Sequence, residues 1–366
     1  MLMISNKITL KESWYKMKRF KISGLAVPVV ALGTACVLVA CPECCVKGAV
    51  SGLVTCASVV IPSLFPFLIV SSFVALSPSC VGAMRVFSPV MRHIFRLPAC
   101  AAPAVFFGFF GGYPVGCSVA AQLYQRGSID AEQAQRITCF CVNAGPAFVI
   151  TAVGTVMLGN VRAGVILFLS VLISGILLGF ALGLTAPKPQ KQTEKENSSL
   201  TNSQALVESV ENGAASMMKI CAWTVVFSCV SGLLSHWNFG ADVLTALNCV
   251  LEVTAGCTAA AKHTNLCTLA AALGWGGLCV GLQVLGNVKT VGTRPLVFFA
   301  FRAVNAGLSA VICGVLTKLF PLEASVFSNV AAVSARQFSY SLPATAALIC
   351  LCTVFIIDLD RNRKVC

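Results

Sequence analysis

The sequence predicts an all-α membrane protein that crosses the bilayer several times. Of its 366 residues, 57% are hydrophobic and 11% are charged, whereas a soluble domain carries about 25% charged residues. Apolar runs of about 20 residues, the length that crosses a bilayer as a helix, recur along the chain. Some of these runs contain glycine-rich breaks, which are typical of transporters. We therefore expect about eight transmembrane helices and two re-entrant hairpins in an inverted-repeat, transporter-like architecture.

The excess of basic residues indicates membrane orientation. The formal charge is +13, from 26 Lys and Arg against 13 Asp and Glu. Such a charge is also compatible with a nucleic-acid-binding protein, but Lys and Arg collect in the cytoplasmic loops of membrane proteins. Because basic residues precede the first predicted span and follow the last one, we expect both termini in the cytoplasm and no nucleic-acid partner.

A hydrophilic linker divides the chain into two membrane halves. The linker, residues 186–203, reads APKPQKQTEKENSSLTNS and has no apolar face to bury. A basic cytoplasmic tail (1–21) precedes the first half (22–185). The second half (204–320) is followed by a last span and a basic tail (321–366). The first and last spans are predicted at 22–40 and 342–357.

Three local patterns predict features within these halves. Gly48–Leu76 is longer than one straight span needs and contains two prolines, so we expect one long broken helix. Ser128 is a candidate N-cap for the helix that runs through the acidic turn after it. Gln204–Gly213 is polar and predicts a short helix ahead of a span near 214–234.

Two breaks interrupt apolar sequence between Phe106 and Gly154. The first is Gly-Gly-Tyr-Pro-Val-Gly at 111–116, and the second is Asn-Ala-Gly-Pro at 143–146. In lipid, non-helical backbone is tolerated only where protein or a water-filled cavity satisfies its polar groups. These breaks therefore predict a cavity.

The second half echoes the first. The pattern Gly-Cys-[Ser/Thr]-x-Ala-Ala-[Gln/Lys] occurs at 116–122 and again at 256–262, and Gly-Trp-Gly-Gly at 274–277 loosely repeats the second break. Ordinary packing of small residues between helices is the alternative explanation. Cytoplasmic termini require an even number of crossings. This is met if the second hairpin enters from the opposite face to the first, as in inverted repeats.

No motif in the chain indicates an enzyme, a cofactor or a metal site. The nucleotide-binding pattern GxxxxGK[ST] and the metal motif HExxH are both missing. Ser118 with a distant histidine could form an intramembrane hydrolase, but nothing fixes their geometry. Cys41 and Cys44 have CxxC spacing without a second ligand pair, so a disulfide or free thiols, with Cys45 alongside, are the open alternatives.

Glu252 is an ionisable residue within an apolar run, which is a functional hypothesis by default. It could carry a proton, bind a cation such as sodium, or pair with Arg302 or Lys262. A purely structural ion pair or an interfacial position is the alternative.

The glycines and polar residues beside the breaks form the predicted solute site. Helix N-termini exposed at such breaks attract anions, neutral polar side chains suit hydrogen bonding, and an aromatic side chain suits stacking on a ring. The predicted substrate-binding residues are Gly112, Tyr113, Pro114, Gly116, Ser118, Asn143, Gly145, Glu252, Gly256, Thr258, Gly276, Gly277 and Gln283.

Five segments together resemble a known membrane protein family. They are SPVMRHIFRLP (88–98), GGYPVGCSVAAQL (111–123), CVNAGPAFVI (141–150), LEVTAGC (251–257) and LGWGGLCVGLQVL (273–285). In this order they resemble the sporulation integral membrane protein family of the YlbJ type, which acts at stage V of sporulation in endospore-forming bacteria. The family typically has Ser, Asn and His where this chain has Gly111, Val142 and Gly281, so the polar lining differs.

The resemblance implies a location and a function. The family carries nucleoside-recognition Gate domains, similar to parts of concentrative nucleoside transporters. It implies transport of dipicolinic acid during spore cortex formation, across the cell membrane or the outer forespore membrane. The alternatives are a transporter of nucleoside-like solutes and a non-transporting scaffold for assembly of the spore envelope or cortex. The lipid bilayer, the solute and a coupling proton or sodium are the expected partners, and the oligomeric state is open.

Cysteine accessibility tests the predicted topology. We expect Arg126→Cys and Asp242→Cys, each made in a chain whose native cysteines are replaced, to react with a membrane-impermeant maleimide from opposite sides of the membrane. Lys191→Cys in the linker should react from the same side as Arg126→Cys. Labelling of positions 126 and 242 from one side would contradict the inverted repeat.

Overall fold

A computed structural model describes residues 39–187, 200–236, 239–263 and 265–321, with part of the segment 28–37. The predicted last span, both predicted tails and most of the predicted linker lie outside these residues, and the predicted first span lies partly outside them. Across the described ranges the chain forms helices and no strand. This agrees with a chain in lipid, where the helix satisfies its backbone hydrogen bonds within one segment.

The first half begins with a long helix and ends with another. A wide turn, Cys56–Val60, joins α1 to α2, and α8 consists of wide π-type turns. In order, the helices are α1 (Pro42–Thr55), α2 (Ile61–Leu76), α3 (Pro78–Met84), α4 (Ser88–Phe95), α5 (Ala102–Phe110), α6 (Val115–Gln125), α7 (Ala131–Phe140), α8 (Ala147–Met157) and α9 (Val161–Thr185).

The second half follows a similar order. Its helices are α10 (Asn202–His236), α11 (Ala241–Leu251), α12 (Val253–His263), α13 (Leu266–Trp275), α14 (Gly277–Asn287) and α15 (Pro295–Leu319). Among the described residues each half therefore contains a pair of short helices, a broken helix and a 25-residue helix. We call α5–α6 and α11–α12 the first and second hairpins, and α7–α8 and α13–α14 the first and second broken helices.

Five segments of the described chain are long and apolar enough to cross a membrane: Pro42–Val60, α9, α10, α13 with α14, and α15. The number rises to seven if two bent pairs each count as one span. The α2–α3 pair bends by 87° and the α4–α5 pair by 98°. These spans confirm the predicted class of an all-α protein that crosses the membrane several times.

Close glycine contacts hold the first hairpin together. A side chain on Gly116 would meet the backbone of Gly108, the Ala104 carbonyl oxygen at 2.8 Å and the Cys141 carbonyl oxygen at 3.0 Å. The two arms and the end of α7 therefore approach at backbone distance. The tip turns at Gly112, whose φ of +99° favours glycine.

Both broken helices break at the predicted glycine segments. The first stops at Phe140 and resumes at Ala147, with extended and turn backbone between them. The second breaks where Gly276 and Gly277 take φ values of +82° and +83°. The right-handed helix α13 ends at Trp275 because two residues at positive φ follow it. Glycine occupies both positions, since a side chain at this φ would be strained.

The continuous segment formed by α1 and α2 packs antiparallel along α10, and we call this segment and α10 the outer pair. Gly48 and Gly52 lie against Ser228 and Val225 of α10, and Gly213 lies against Ile69. The helix predicted at 204–213 and the span near 214–234 are one continuous helix of 35 residues. Gly213 does not break this helix. Its lack of a side chain instead allows α2 to approach closely.

The N-cap of α7 is Asp130 rather than the predicted Ser128. Asp130 accepts a hydrogen bond from the Gln133 amide at 2.8 Å, and the Gln133 side chain accepts from the Asp130 amide at 3.1 Å. This reciprocal pair is a capping box. Ser128 lies in the preceding turn, and Ile129 between them is buried.

We expect Gly116→Ala to destabilise the protein by about 1–3 kcal/mol, because the added methyl meets backbone that cannot rotate away. The matched control is Gly286→Ala in α14, where a side chain would meet nothing within 4 Å. That change should not lower stability, since alanine favours helix. Thermal unfolding of both variants in detergent measures the difference, and equal melting temperatures would contradict the packing described for the first hairpin.

Candidate functional site

One cavity is lined by the break at 111–116, which forms the tip of the first hairpin, by the break at 143–146, and by the tip of the second hairpin. It measures about 760 Å³ when the open solvent at its mouth is included. It lies between the outer pair and the hairpins. Its lining is Val59, Val60, Leu64, Phe67, Phe110, Gly111, Gly112, Tyr113, Pro114, Gly145, Ala147, Phe148, Ile220, Thr224, Glu252, Val253, Thr254, Cys279, Val280 and Gln283.

The two walls of the cavity differ in polarity. The outer pair supplies aliphatic side chains, the ring of Phe67 and one hydroxyl, that of Thr224. The Thr224 hydroxyl donates to the Ile220 carbonyl of its own helix at 3.0 Å. The hairpins and broken helices supply the polar groups on the opposite wall. A solute with an apolar face and a polar edge therefore matches the cavity.

Four helices start at the polar wall. Pro114 directly precedes α6, and Gly145 lies one residue before the Pro146 cap of α8. Glu252 precedes α12, and α14 places Cys279 in the wall just after its start. Because helix N-termini carry partial positive charge, this wall favours negatively charged groups.

Glu252 lies at the tip of the second hairpin. Its two carboxylate oxygens accept hydrogen bonds from the amides of Thr254 and Ala255, at 2.9 and 2.6 Å. It thus caps the start of α12. In the described structure it forms no ion pair with Arg302 or Lys262, which answers the pairing alternative raised from the sequence.

Gln283 is 5% exposed and projects from α14 at the cavity. Its amide nitrogen donates to the Cys279 sulfur at 3.2 Å. A thiol sulfur is a weak acceptor, so the amide retains hydrogen-bonding capacity for a solute.

Tyr113 joins the first hairpin to the second broken helix. Its hydroxyl donates to the Leu273 carbonyl at 2.8 Å, and its ring packs over Gly276, where a side chain would come within 3.0 Å of the ring. The hydroxyl is therefore already used, and the ring is what Tyr113 offers to the cavity.

Arg302 lies behind this wall and connects both broken helices. It is 2% exposed. Its guanidinium donates to the carbonyl of Val142 in the first break, and to those of Gly274 and Trp275 at the end of α13. The sequence suggested Arg302 only as a partner for Glu252, because carbonyl acceptors leave no mark in a sequence.

Asn143 is buried beside the cavity without lining it. Its amide nitrogen donates to the Phe140 carbonyl at 2.8 Å, which caps α7. Its side-chain oxygen is buried without a partner in the described residues. Gly175 of α9 lies against it, and a side chain there would come within 2.7 Å of the amide.

The predicted substrate-binding residues divide between the cavity wall and more distant positions. Gly112, Tyr113, Pro114, Gly145, Glu252 and Gln283 line the cavity. Gly276 and Gly277 lie directly behind them, Gly277 against the Glu252 backbone. The others lie away from it. Gly116 packs within the first hairpin, Ser118 accepts from Asn287 at 3.1 Å, Gly256 packs on Cys249, and Thr258 is exposed and donates to the Thr254 carbonyl at 2.8 Å.

Neither the cysteines of the predicted CxxC segment nor potential metal-binding side chains form a further site in the described chain. Cys41, Cys44 and Cys45 carry free thiols. No group of three or more His, Cys, Asp or Glu side chains that could hold a metal ion occurs in the described ranges.

Comparison with known proteins gives one similarity over most of the chain. The sporulation integral membrane protein YlbJ of Bacillus subtilis (strain 168) is 22% identical over 351 residues, covering 82% of this chain and 85% of that protein. This confirms the family resemblance read from the sequence motifs. No family model matches the chain, and no solved structure matches it. The chain is therefore a multi-pass integral membrane protein similar to one from sporulation.

We expect Arg302→Met to destabilise the protein by about 3 kcal/mol, because it leaves the carbonyls of Val142 and Trp275 without their donor, while Asn305 still donates to that of Gly274. Arg302→Lys should recover part of this loss, since one ammonium cannot reach all three carbonyls. The control is Arg294→Met at the exposed start of the same helix, which should change stability by less than about 0.5 kcal/mol. Unfolding in detergent measures all three, and a stable Arg302→Met variant would contradict the role given to the guanidinium.

Proposed function

We propose that the protein is a membrane transporter or facilitator for a small, anionic, aromatic solute, and that dipicolinate is this solute during spore formation. The observation that carries the proposal is the meeting of two helix breaks, a carboxylate and a buried carboxamide in one cavity. Breaks at membrane depth are costly unless they serve a cavity or a pathway. A scaffold protein has no need of them.

The two walls support the aromatic and anionic character of the solute. The apolar wall of the outer pair suits the face of a ring, and the helix N-termini of the opposite wall suit its carboxylates. Gly112 and Gly145 would let the backbone approach these groups, and the Gln283 carboxamide would donate to one of them. Dipicolinate, a planar ring with two carboxylates, fits this pattern, and the similarity to a sporulation protein supports it. We place the protein in the cell membrane or the outer forespore membrane, with cytoplasmic termini.

Uptake of radiolabelled dipicolinate into proteoliposomes that contain the purified full chain tests this function. We expect saturable uptake that excess unlabelled dipicolinate abolishes. Competition by nucleosides instead would favour the nucleoside-like alternative. Correct insertion with no uptake of either solute would contradict transport and favour the scaffold alternative.

We expect Gln283→Leu to lower dipicolinate uptake about tenfold, the equivalent of one hydrogen bond of about 1.4 kcal/mol. The change preserves the approximate size of the side chain and should leave the melting temperature nearly unaltered. Gln125→Leu is the matched control, because Gln125 is exposed at the end of α6, where it donates to Thr290. Equal uptake by both variants would remove Gln283 from the proposed site.

A further inference from the structure

We propose that Glu252 is the proton-binding site that couples solute uptake to a pH gradient, so that a proton and the anionic solute travel together. This inference rests on the proposed transport of an anion and adds its energy source. The position of the Glu252 carboxylate in the cavity is its first support. Among the described residues that line the cavity, Glu252 is the sole acidic one.

The carboxylate already occupies a place that a solute carboxylate would seek. It accepts the amides of Thr254 and Ala255 at the start of α12, with no cation paired to it in the described structure. Two carboxylates in one site repel each other, and such a pair readily takes up a proton. The entry of an anion therefore favours protonation of Glu252, and protonation of Glu252 favours entry of the anion, because coupling between two sites is reciprocal.

In the described structure, four ionisable groups from the surrounding helices interact electrostatically with Glu252. They are the Tyr113 phenol at the first hairpin tip and the thiols of Cys56, Cys257 and Cys279. Arg302 lies behind Gly276 and is held by carbonyls. Phenols and thiols ordinarily lose their protons at pH values of about 10 and 8.5, and a guanidinium stays charged. The remaining walls, from α8 and α10, contribute apolar side chains and Thr224.

The proposed step moves one proton and breaks no covalent bond. A proton from the more acidic side binds a carboxylate oxygen of Glu252, which then releases the Thr254 or Ala255 amide. The freed amide donates to a solute carboxylate, and the Glu252 hydroxyl can donate to the same anion. On the other side the solute leaves, the proton follows, and the carboxylate returns to its cap on α12.

Proteoliposomes with a controlled pH gradient test this coupling. The probe is radiolabelled dipicolinate, and valinomycin with equal potassium on both sides holds the membrane potential at zero. With the outside more acidic by about one pH unit, we expect the wild-type protein to accumulate the probe up to about tenfold over the value without a gradient, as one proton per solute requires. Glu252→Gln should lower uptake and reduce this ratio to about one. Glu252→Asp, which keeps a carboxyl, should recover part of the ratio.

Asp242→Asn is the matched control, because Asp242 is an exposed carboxylate on the same hairpin. It should keep the wild-type ratio. Robust wild-type uptake with a ratio of one would overturn the coupling and leave transport intact, as would a tenfold ratio in Glu252→Gln. No wild-type uptake of dipicolinate at all would overturn the proposed function together with this inference.

A second measurement decides the matter if Glu252→Gln does not fold. A pH-sensitive dye inside wild-type liposomes should report acidification of the interior that begins only when dipicolinate is added outside. Uptake of the labelled probe without acidification would contradict the coupling.

Discussion

The buried guanidinium of Arg302 is the interaction on which the centre of this protein depends. It lies where the two broken helices meet and donates to a carbonyl from the first half and two from the second. Each break leaves carbonyls that a continuous helix would have satisfied, and in lipid such groups are costly. One side chain from α15 thus allows both halves to keep their breaks at the same depth.

The arginine also gives the centre its polarity. The ends of α7 and α13 carry partial negative charge, and Arg302 lies at them. The starts of α6, α8, α12 and α14 are left to form the polar wall. Arg96 and Arg136 bind the ends of other helices in the same way. Arg96 donates to the carbonyl of Leu184 near the end of α9, and Arg136 donates to that of Phe95 at the end of α4. Part of the positive charge of the chain therefore compensates the partial negative charge at the ends of its own helices.

The sequence predicted much of this arrangement and missed the rest for a physical reason. Apolar length and glycine content are local properties, so the helices and both breaks were predictable. Six of the proposed site residues line the cavity, and four of them, Gly112, Tyr113, Pro114 and Gly145, belong to the breaks at 111–116 and 143–146. The apolar wall and the roles of Arg302 and Glu252 were not predictable. The outer pair is brought to the cavity by packing along α10, and backbone amides and carbonyls, which bind both charged groups, are the same in every residue.

The bond between Arg302 and Val142 has a consequence for how the protein is made. The two residues are 160 positions apart, so the first half of the chain leaves the ribosome long before its arginine. Until α15 enters the bilayer, the carbonyl of Val142 needs water or a substitute donor from the insertion machinery. The first half is thus incomplete on its own until α15 supplies Arg302. Membrane insertion of the first half and folding of the centre are consequently separate events in time, with the second waiting for the synthesis of α15.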